Sequence, residues 1–242
     1  MIEFETFCFL QNHKTGCTLV EAFLRRHCFE DIVRYEKHWA PSARRPGKFH
    51  FVGVREPLDT YLSLFNFGLD GKGEVFALLR EAGQGQLYAA GIDGFGAWLR
   101  WLLDADQAAA LYPPDSLALA PFCGLLTCRF LRLAIPGCQR EPPGDWRAGL
   151  AGPGAVDAVL RYESLIGDLQ TIVAAPLRHA FSDQGAAQAW LAAAPRINAS
   201  QRRDRVQAPS LPADLRRLLA EREALLYDAF YAGQRPDYPQ NP

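Results

Sequence analysis

The apolar residues of this chain fall into two kinds of run. Phe4 to Leu10 and Phe49 to Val54 are short, continuous and rich in aromatic and β-branched residues, which suits buried strands. Ala155 to Tyr162 is a further strand candidate. Elsewhere the spacing is helical. Leu19, Ala22, Phe23 and Cys28 mark a helix over Thr18 to Cys28, and Leu58, Tyr61, Leu62, Phe65 and Leu69 mark another behind Pro57. Proline suits a first helical turn, where its missing N–H costs nothing. Gly94 to Asp104 and Ala187 to Ala194 also read as helices, and 212–231 reads as one final amphipathic helix. Residues 136–155, rich in Pro and Gly, read as a long loop. Strand–turn–helix followed by strand–turn–helix predicts an α/β fold with a parallel sheet and right-handed crossovers. Ligands of such sheets sit beyond the carboxyl ends of the strands. Two polar turns fall there, Asn12 to Thr18 and the one around Arg55.

Composition narrows the possibilities. The 242 residues are 49% hydrophobic and 22% charged, which is globular rather than disordered. A formal net charge of −1 gives no sign of nucleic-acid binding, so any anion site must be a local gathering of Lys, Arg and backbone N–H groups. The six cysteines form no CxxC and no paired zinc-ligand spacing. They read as small, reduced core residues, with a local Cys123–Cys128 bridge the alternative in an oxidising compartment. The amino-terminal segment lacks a cationic region, and no apolar stretch is long enough to span a bilayer. The expectation is a soluble, cytoplasmic protein.

The first turn reads Asn-His-Lys-Thr-Gly-Cys-Thr over residues 12–18. A helix start presents unpaired N–H groups and a positive dipole end to an anion. Gly16 would let the backbone approach a phosphate, Lys14 would add a cation, and Thr15 and Thr18 would add hydroxyls. It is not a Walker A loop, because the glycine follows the lysine. The bland alternative is a capped helix start with a solvated lysine. At the second turn Arg55 ends a strand and Ser63 follows two helical turns into the next element. An arginine fork and a hydroxyl make a phosphate clamp. The bland alternative is a surface arginine and a helix-face serine.

Together the turns resemble those of the PAPS-dependent sulfotransferases (PAPS is 3′-phosphoadenosine-5′-phosphosulfate). His13-Lys14-Thr15-Gly16-Cys17-Thr18 is similar to that family's 5′-phosphosulfate loop, and Arg55-Glu56-Pro57 with Ser63 to its 3′-phosphate motif. Arg161-Tyr162-Glu163-Ser164-Leu165 looks like its late strand ending in Tyr-Glu-x-Leu. Ile197-Asn198-Ala199-Ser200-Gln201-Arg202 looks like a segment of its carbohydrate-modifying branch. The matches run in the family's order from residue 4 to about 205, with 71–150 covered only loosely.

The resemblance implies a P-loop-like three-layer fold, with a central parallel sheet flanked by helices, in a single domain over 1–242. Segment 71–150 would serve acceptor binding. It implies PAPS as donor, PAP (the desulfated product), no metal, and an acceptor glycan or other hydroxyl-bearing small molecule. Lys14 would neutralise the leaving oxygen, and Thr15, Gly16, Cys17 and Thr18 would hold the 5′-phosphate. Arg55 and Ser63 would hold the 3′-phosphate. Arg202, Arg203 and Arg205 would close over the donor or grip an anionic acceptor, with a solvated basic loop the bland alternative. For the base, a Lys-His stretch resembles the uronyl 2-O-sulfotransferase-like branch and points to His38. Glu36 is the alternative, and His13 is expected to shape the loop. His27, His50 and His179 read as structural. The chain departs from the family at Cys17, where a glycine or other tiny residue is usual, and at Glu56, where Asp or Asn is commoner. A phenol- or steroid-type Arg-Lys-Gly triplet is missing near the carboxyl end.

Two other readings compete. A P-loop nucleotide kinase would require magnesium and an acidic residue where the second strand instead ends in Arg55. A non-catalytic nucleotide binder would keep the turn without the chemistry. The aromatic residues Trp39, Phe67, Tyr88, Phe95, Trp98 and Trp101 fit either a helical core or sugar-stacking walls.

Overall fold

The computed structural model describes residues 1–138, 145–152, 154–194 and 211–235. The first apolar run makes a hairpin instead of one strand. β1 (Ile2–Glu3) turns back through Phe4, whose N–H donates to Phe7 O at 2.8 Å, into β2 (Phe7–Leu10). α1 (Cys17–His27), the short β3 (Arg34–Tyr35) and β4 (Phe49–Val54) follow, and β5 (Ala158–Arg161) comes late in the chain. The sheet order is β3-β1-β2-β4-β5. β2, β4 and β5 run parallel, and β1 is antiparallel to both β2 and β3. The sheet is therefore mixed, which corrects the expectation of an all-parallel one. Glu5 and Thr6 are polar and form the bend at which the run folds back.

The chain divides into two compact units. The first comprises 1–55, 130–137 and 148–199 and contains the sheet. Its core lines one sheet face with Ile2, Phe7, Phe9, Phe51 and Leu160. Against them pack Val20, Phe23 and Leu24 of α1, Leu169 and Val173 of α7 (Leu165–Ala174), and Leu191 of α8 (Gln184–Ala192). Phe9 and Phe51 stack across neighbouring strands at 5.0 Å. The opposite face is as dry, with Cys8, Leu10, Val52 and Val54 buried. A strand buried on both faces has to read as a continuous apolar run, as these do. His50 is buried within β4. Its Nδ1 sits 2.9 Å from Lys48 O, and its Nε2 accepts the Arg45 N–H at 3.2 Å. Burial lowers its pKa, so it is a neutral structural residue.

The second unit comprises 56–129, 138–147 and 200–242. It holds α2 (Pro57–Leu69), α3 (Glu74–Glu81), α4 (Phe95–Leu103), most of the first turn and a half of α5 (Leu125–Ala134), α9 (Ala213–Arg222) and α10 (Ala224–Phe230). A six-residue helix, α6 (Trp146–Ala151), lies in the stretch expected to be loop, and it straddles the boundary between the units. Trp98, Phe95 and Tyr88 are buried around Phe65, with Trp98 0% exposed, so these rings belong to the core and not to sugar-stacking walls. Among the described residues the cysteines form no disulfide, Cys123 and Cys128 included.

The final helix is two helices, because Glu223 leaves the helical path at φ −107°, ψ 23°. Its carboxylate turns fully inward and accepts four hydrogen bonds. They come from Tyr61 Oη at 2.5 Å, Leu126 N at 3.2 Å, Thr127 N at 2.8 Å and Thr127 Oγ1 at 2.6 Å. The two N–H groups belong to the first turn of α5, which otherwise has no partners for them. A buried carboxylate is tolerable only when its lone pairs are filled in this way. Gly124 makes room for it, since any Cβ there would strike the Glu223 carboxylate. Glu223→Ala strands those donors, and a stability loss of at least about 3 kcal/mol is expected. Glu223→Gln keeps the shape but turns an NH2 group toward donors, so its loss should be intermediate. Urea unfolding of the three proteins measures both.

Candidate functional site

The site is built where β2, β4 and β5 end. Beyond Leu10 the chain makes a turn of two left-handed residues, Lys14 at φ 61° and Gly16 at φ 81°. Such residues aim successive backbone N–H groups into one concavity, which attracts anions. Gly16 caps α1 with no side-chain bond, and its carbonyl accepts the Leu19 N–H at 3.0 Å. Glycine is required at 16 by conformation and by space. A Cβ would lie 2.5 Å from Leu165 Cδ2 and 3.3 Å from Tyr162 Cδ2.

The turn is pinned from below. Asn12 Nδ2 donates to Gly53 O of β4 at 3.1 Å, and its Oδ1 accepts the His13 N–H at 2.9 Å. Thr15 is buried, and its hydroxyl donates to Asn12 O at 3.0 Å. The Thr15 side chain lies against Gly53, where an added Cβ would collide with Oγ1 and sit 2.9 Å from Thr15 Cβ. Thr15 therefore spends its hydroxyl on the shape of the turn, and its backbone N–H is what it has to offer an anion. Cys17 is 8% exposed and packs into the core beneath the sheet. Burial raises the pKa of its thiol.

Two cations meet at this turn. The Lys14 pKa is lowered to about 8, chiefly by burial; Cys17 opposes the shift, and the nearby Arg55 guanidinium adds to it by a smaller amount. Arg55, the residue after β4, donates from Nη1 to Lys14 O at 3.4 Å. Its guanidinium lies over the Tyr162 ring at 4.2 Å. Tyr162 follows β5, and the same ring covers Gly16. One aromatic ring thus supports both the glycine and the arginine, and an arginine stacked this way keeps the edge of its fork for hydrogen bonds.

Of the two base candidates, His38 is at the turn. It adopts φ 58°, its Nδ1 lies 3.0 Å from Gln11 O, and its ring stacks on His13 at 3.7 Å between centroids. A carbonyl at Nδ1 places the proton there and leaves Nε2 as the basic atom. Glu36 is exposed at the sheet edge, where it pairs with Arg34 at 2.7 Å. Ser63 lies half-buried in the second turn of α2, in the second compact unit, whereas Arg55 closes the first. Glu56 is the N-cap of α2 and accepts the Asp59 N–H at 2.6 Å, the task a shorter acidic residue or Asn performs at a helix start. It also accepts the Tyr227 hydroxyl at 2.7 Å, and burial raises its pKa. Arg202, Arg203, Arg205 and the tract 197–202 lie outside the described residues.

Three contributors were missed in the sequence: Asn12, Gly53 and Tyr162. Gly53 had a signal, since a lone glycine inside an apolar strand marks close backbone approach. Asn12 and Tyr162 act through partners about forty or more residues away in the chain, which spacing does not reveal. In comparisons with known proteins, the chain matches no family model, no curated protein and no solved structure. Among the described residues no helix is long and apolar enough to cross a membrane, and no group of three or more His, Cys, Asp or Glu is placed to hold a metal ion.

The Gly53 contact is directly testable. Gly53→Ala must push Thr15 off β4, and anion affinity at the turn should fall about tenfold or more, while the far-ultraviolet circular dichroism stays near that of the parent. Titration with PAP reads the affinity.

Proposed function

We propose that this protein is a sulfotransferase that moves the sulfuryl group of PAPS to an acceptor hydroxyl, on a carbohydrate by resemblance. The observation that carries the reading is the pairing of Lys14 and Arg55 on a left-handed turn at a helix start, with His38 beside it. The order of these residues in the chain matches the sulfotransferase pattern, and their chemistry suits a nucleotide bearing several phosphate-type groups. On this reading the architecture is the P-loop-like three-layer α/β fold of that family.

The chemistry follows from the side chains. The acceptor hydroxyl gives its proton to His38 Nε2 as its oxygen bonds to sulfur. The bond from sulfur to the bridging oxygen breaks in line, and the electron pair leaves on the 5′-phosphate of PAP. Lys14 and the N–H groups opening α1 face that growing charge, and they are already oriented before the reaction begins. Lys14 should carry a positive charge in the working enzyme, and an incoming dianion favours it. Arg55 would hold the 3′-phosphate.

Isothermal titration with PAP, with and without magnesium, is the first test. Micromolar binding is expected, weakened about thirtyfold or more in Arg55→Ala through loss of charge-assisted hydrogen bonds. Binding of ATP with magnesium but not of PAP would sink the proposal in favour of a nucleotide kinase. Failure of both to bind would sink it outright.

The pH dependence has a definite sign. The Lys14 pKa in the free protein is about 8, so its charge is present below that pH and is lost above it. PAP affinity should fall about tenfold from about pH 7 to about pH 9, and stay nearly level in Lys14→Arg. With an acceptor in hand, His38→Gln should cost about a hundredfold or more in turnover with PAP affinity little changed. An equal loss in both would assign His38 to binding.

A further inference from the structure

The open edge of the sheet carries a pattern that the donor site does not use. Among the described residues β3 is the outermost strand, with one side unpaired by the sheet. Two large apolar side chains are exposed on it or next to it in the chain: Val33 at 60% and Tyr35 at 44%. Tyr35 is held in position, for its hydroxyl lies 3.3 Å from Glu21 Oε2 and the Arg25 guanidinium covers its ring at 4.8 Å. Natural edge strands discourage pairing with charges and bulges, and leaving this much apolar surface beside one invites it.

The inner pairing fixes what faces outward. The Glu36 N–H donates to Met1 O at 2.9 Å, and the register sets Ile2 opposite Tyr35. Hydrogen-bonded and open positions alternate along an antiparallel pair, so the N–H and C=O of Tyr35 point to the open side. The local sequence is Val33-Arg34-Tyr35-Glu36-Lys37. Reversed about Tyr35, it puts Arg34 on Glu36 and Glu36 on Arg34. These two side chains share a face, where they already pair at 2.7 Å and remain about half exposed, 42% and 48%.

We propose that β3 pairs antiparallel with β3 of a second copy of the chain, about a two-fold axis at Tyr35. The two tyrosines exchange a pair of backbone hydrogen bonds. Arg34 of each copy lies opposite Glu36 of the other, closing a ring of four alternating charges. A foreign strand would have no reason to match this order, whereas a second copy matches it by symmetry, as an isologous interface requires.

Charge reversal tests the register. Sedimentation of the full chain up to about 100 μM should give a reversible dimer, since an interface this small is expected to be weak. Arg34→Glu sets Glu opposite Glu, and Glu36→Arg sets Arg opposite Arg. Each should weaken self-association about tenfold or more. Mixing the two single variants restores opposite charges across the axis, and should recover the dimer as a heterodimer. The double variant Arg34→Glu/Glu36→Arg should dimerise alone. A wild type that stays monomeric at the highest concentration overturns the proposal. So does a dimer indifferent to both reversals, or a mixture that stays monomeric while both variants keep the parent's circular dichroism.

Discussion

The first unit depends on how closely the turn after β2 can lie on β4. Thr15 has to sit directly on the backbone of residue 53, and only glycine leaves that space. With Thr15 seated, its hydroxyl reaches Asn12 O, and Asn12 reaches back to Gly53 O. This closed set of bonds consumes the polar groups beneath the turn, and buried polar groups must be consumed. The shape of the turn is therefore a consequence of packing below it.

The second constraint is aromatic. Tyr162 supports Arg55 on its ring face and covers Gly16. Two positive side chains at one turn repel each other, and the lowered Lys14 pKa records part of that cost. Stacking on a ring compensates the arginine without neutralising it. This local pair of cations does not show in the charge on the whole chain, −1, because acidic residues elsewhere balance it.

In the second unit the comparable constraint is Glu223. Its carboxylate holds the start of α5 and the hydroxyl of Tyr61 in α2, and in doing so breaks the terminal helix in two. The helical apolar spacing across 212–231 gave no hint of this break. Periodicity reports which face of a helix is buried, and both halves bury the same kind of residue. A glutamate in a run of arginines and glutamates looks like surface. Its burial is visible only when the four donors around it are known.

The sequence by itself determined the local elements of the site and their order. Continuous apolar runs made β4 and most of β2, helical spacing made α1, α2 and α4, and Pro57 opened α2. Lys14, Gly16 and Arg55 stood out because lysine, glycine and arginine at strand ends and helix starts have few structural uses there, whereas His38 stood out by resemblance alone. These are short-range effects, set by backbone sterics and by side chains a few residues apart. The tertiary structure alone decided that Phe4 begins a turn, so that the sheet is mixed, and that Cys17 faces the core. It also turned the Thr15 hydroxyl inward, gave His38 and not Glu36 a place beside the turn, and put Tyr162 beneath Arg55. Each of those outcomes turns on contacts between segments far apart in the chain, where burial and steric exclusion choose among side-chain directions that the local sequence leaves equally open.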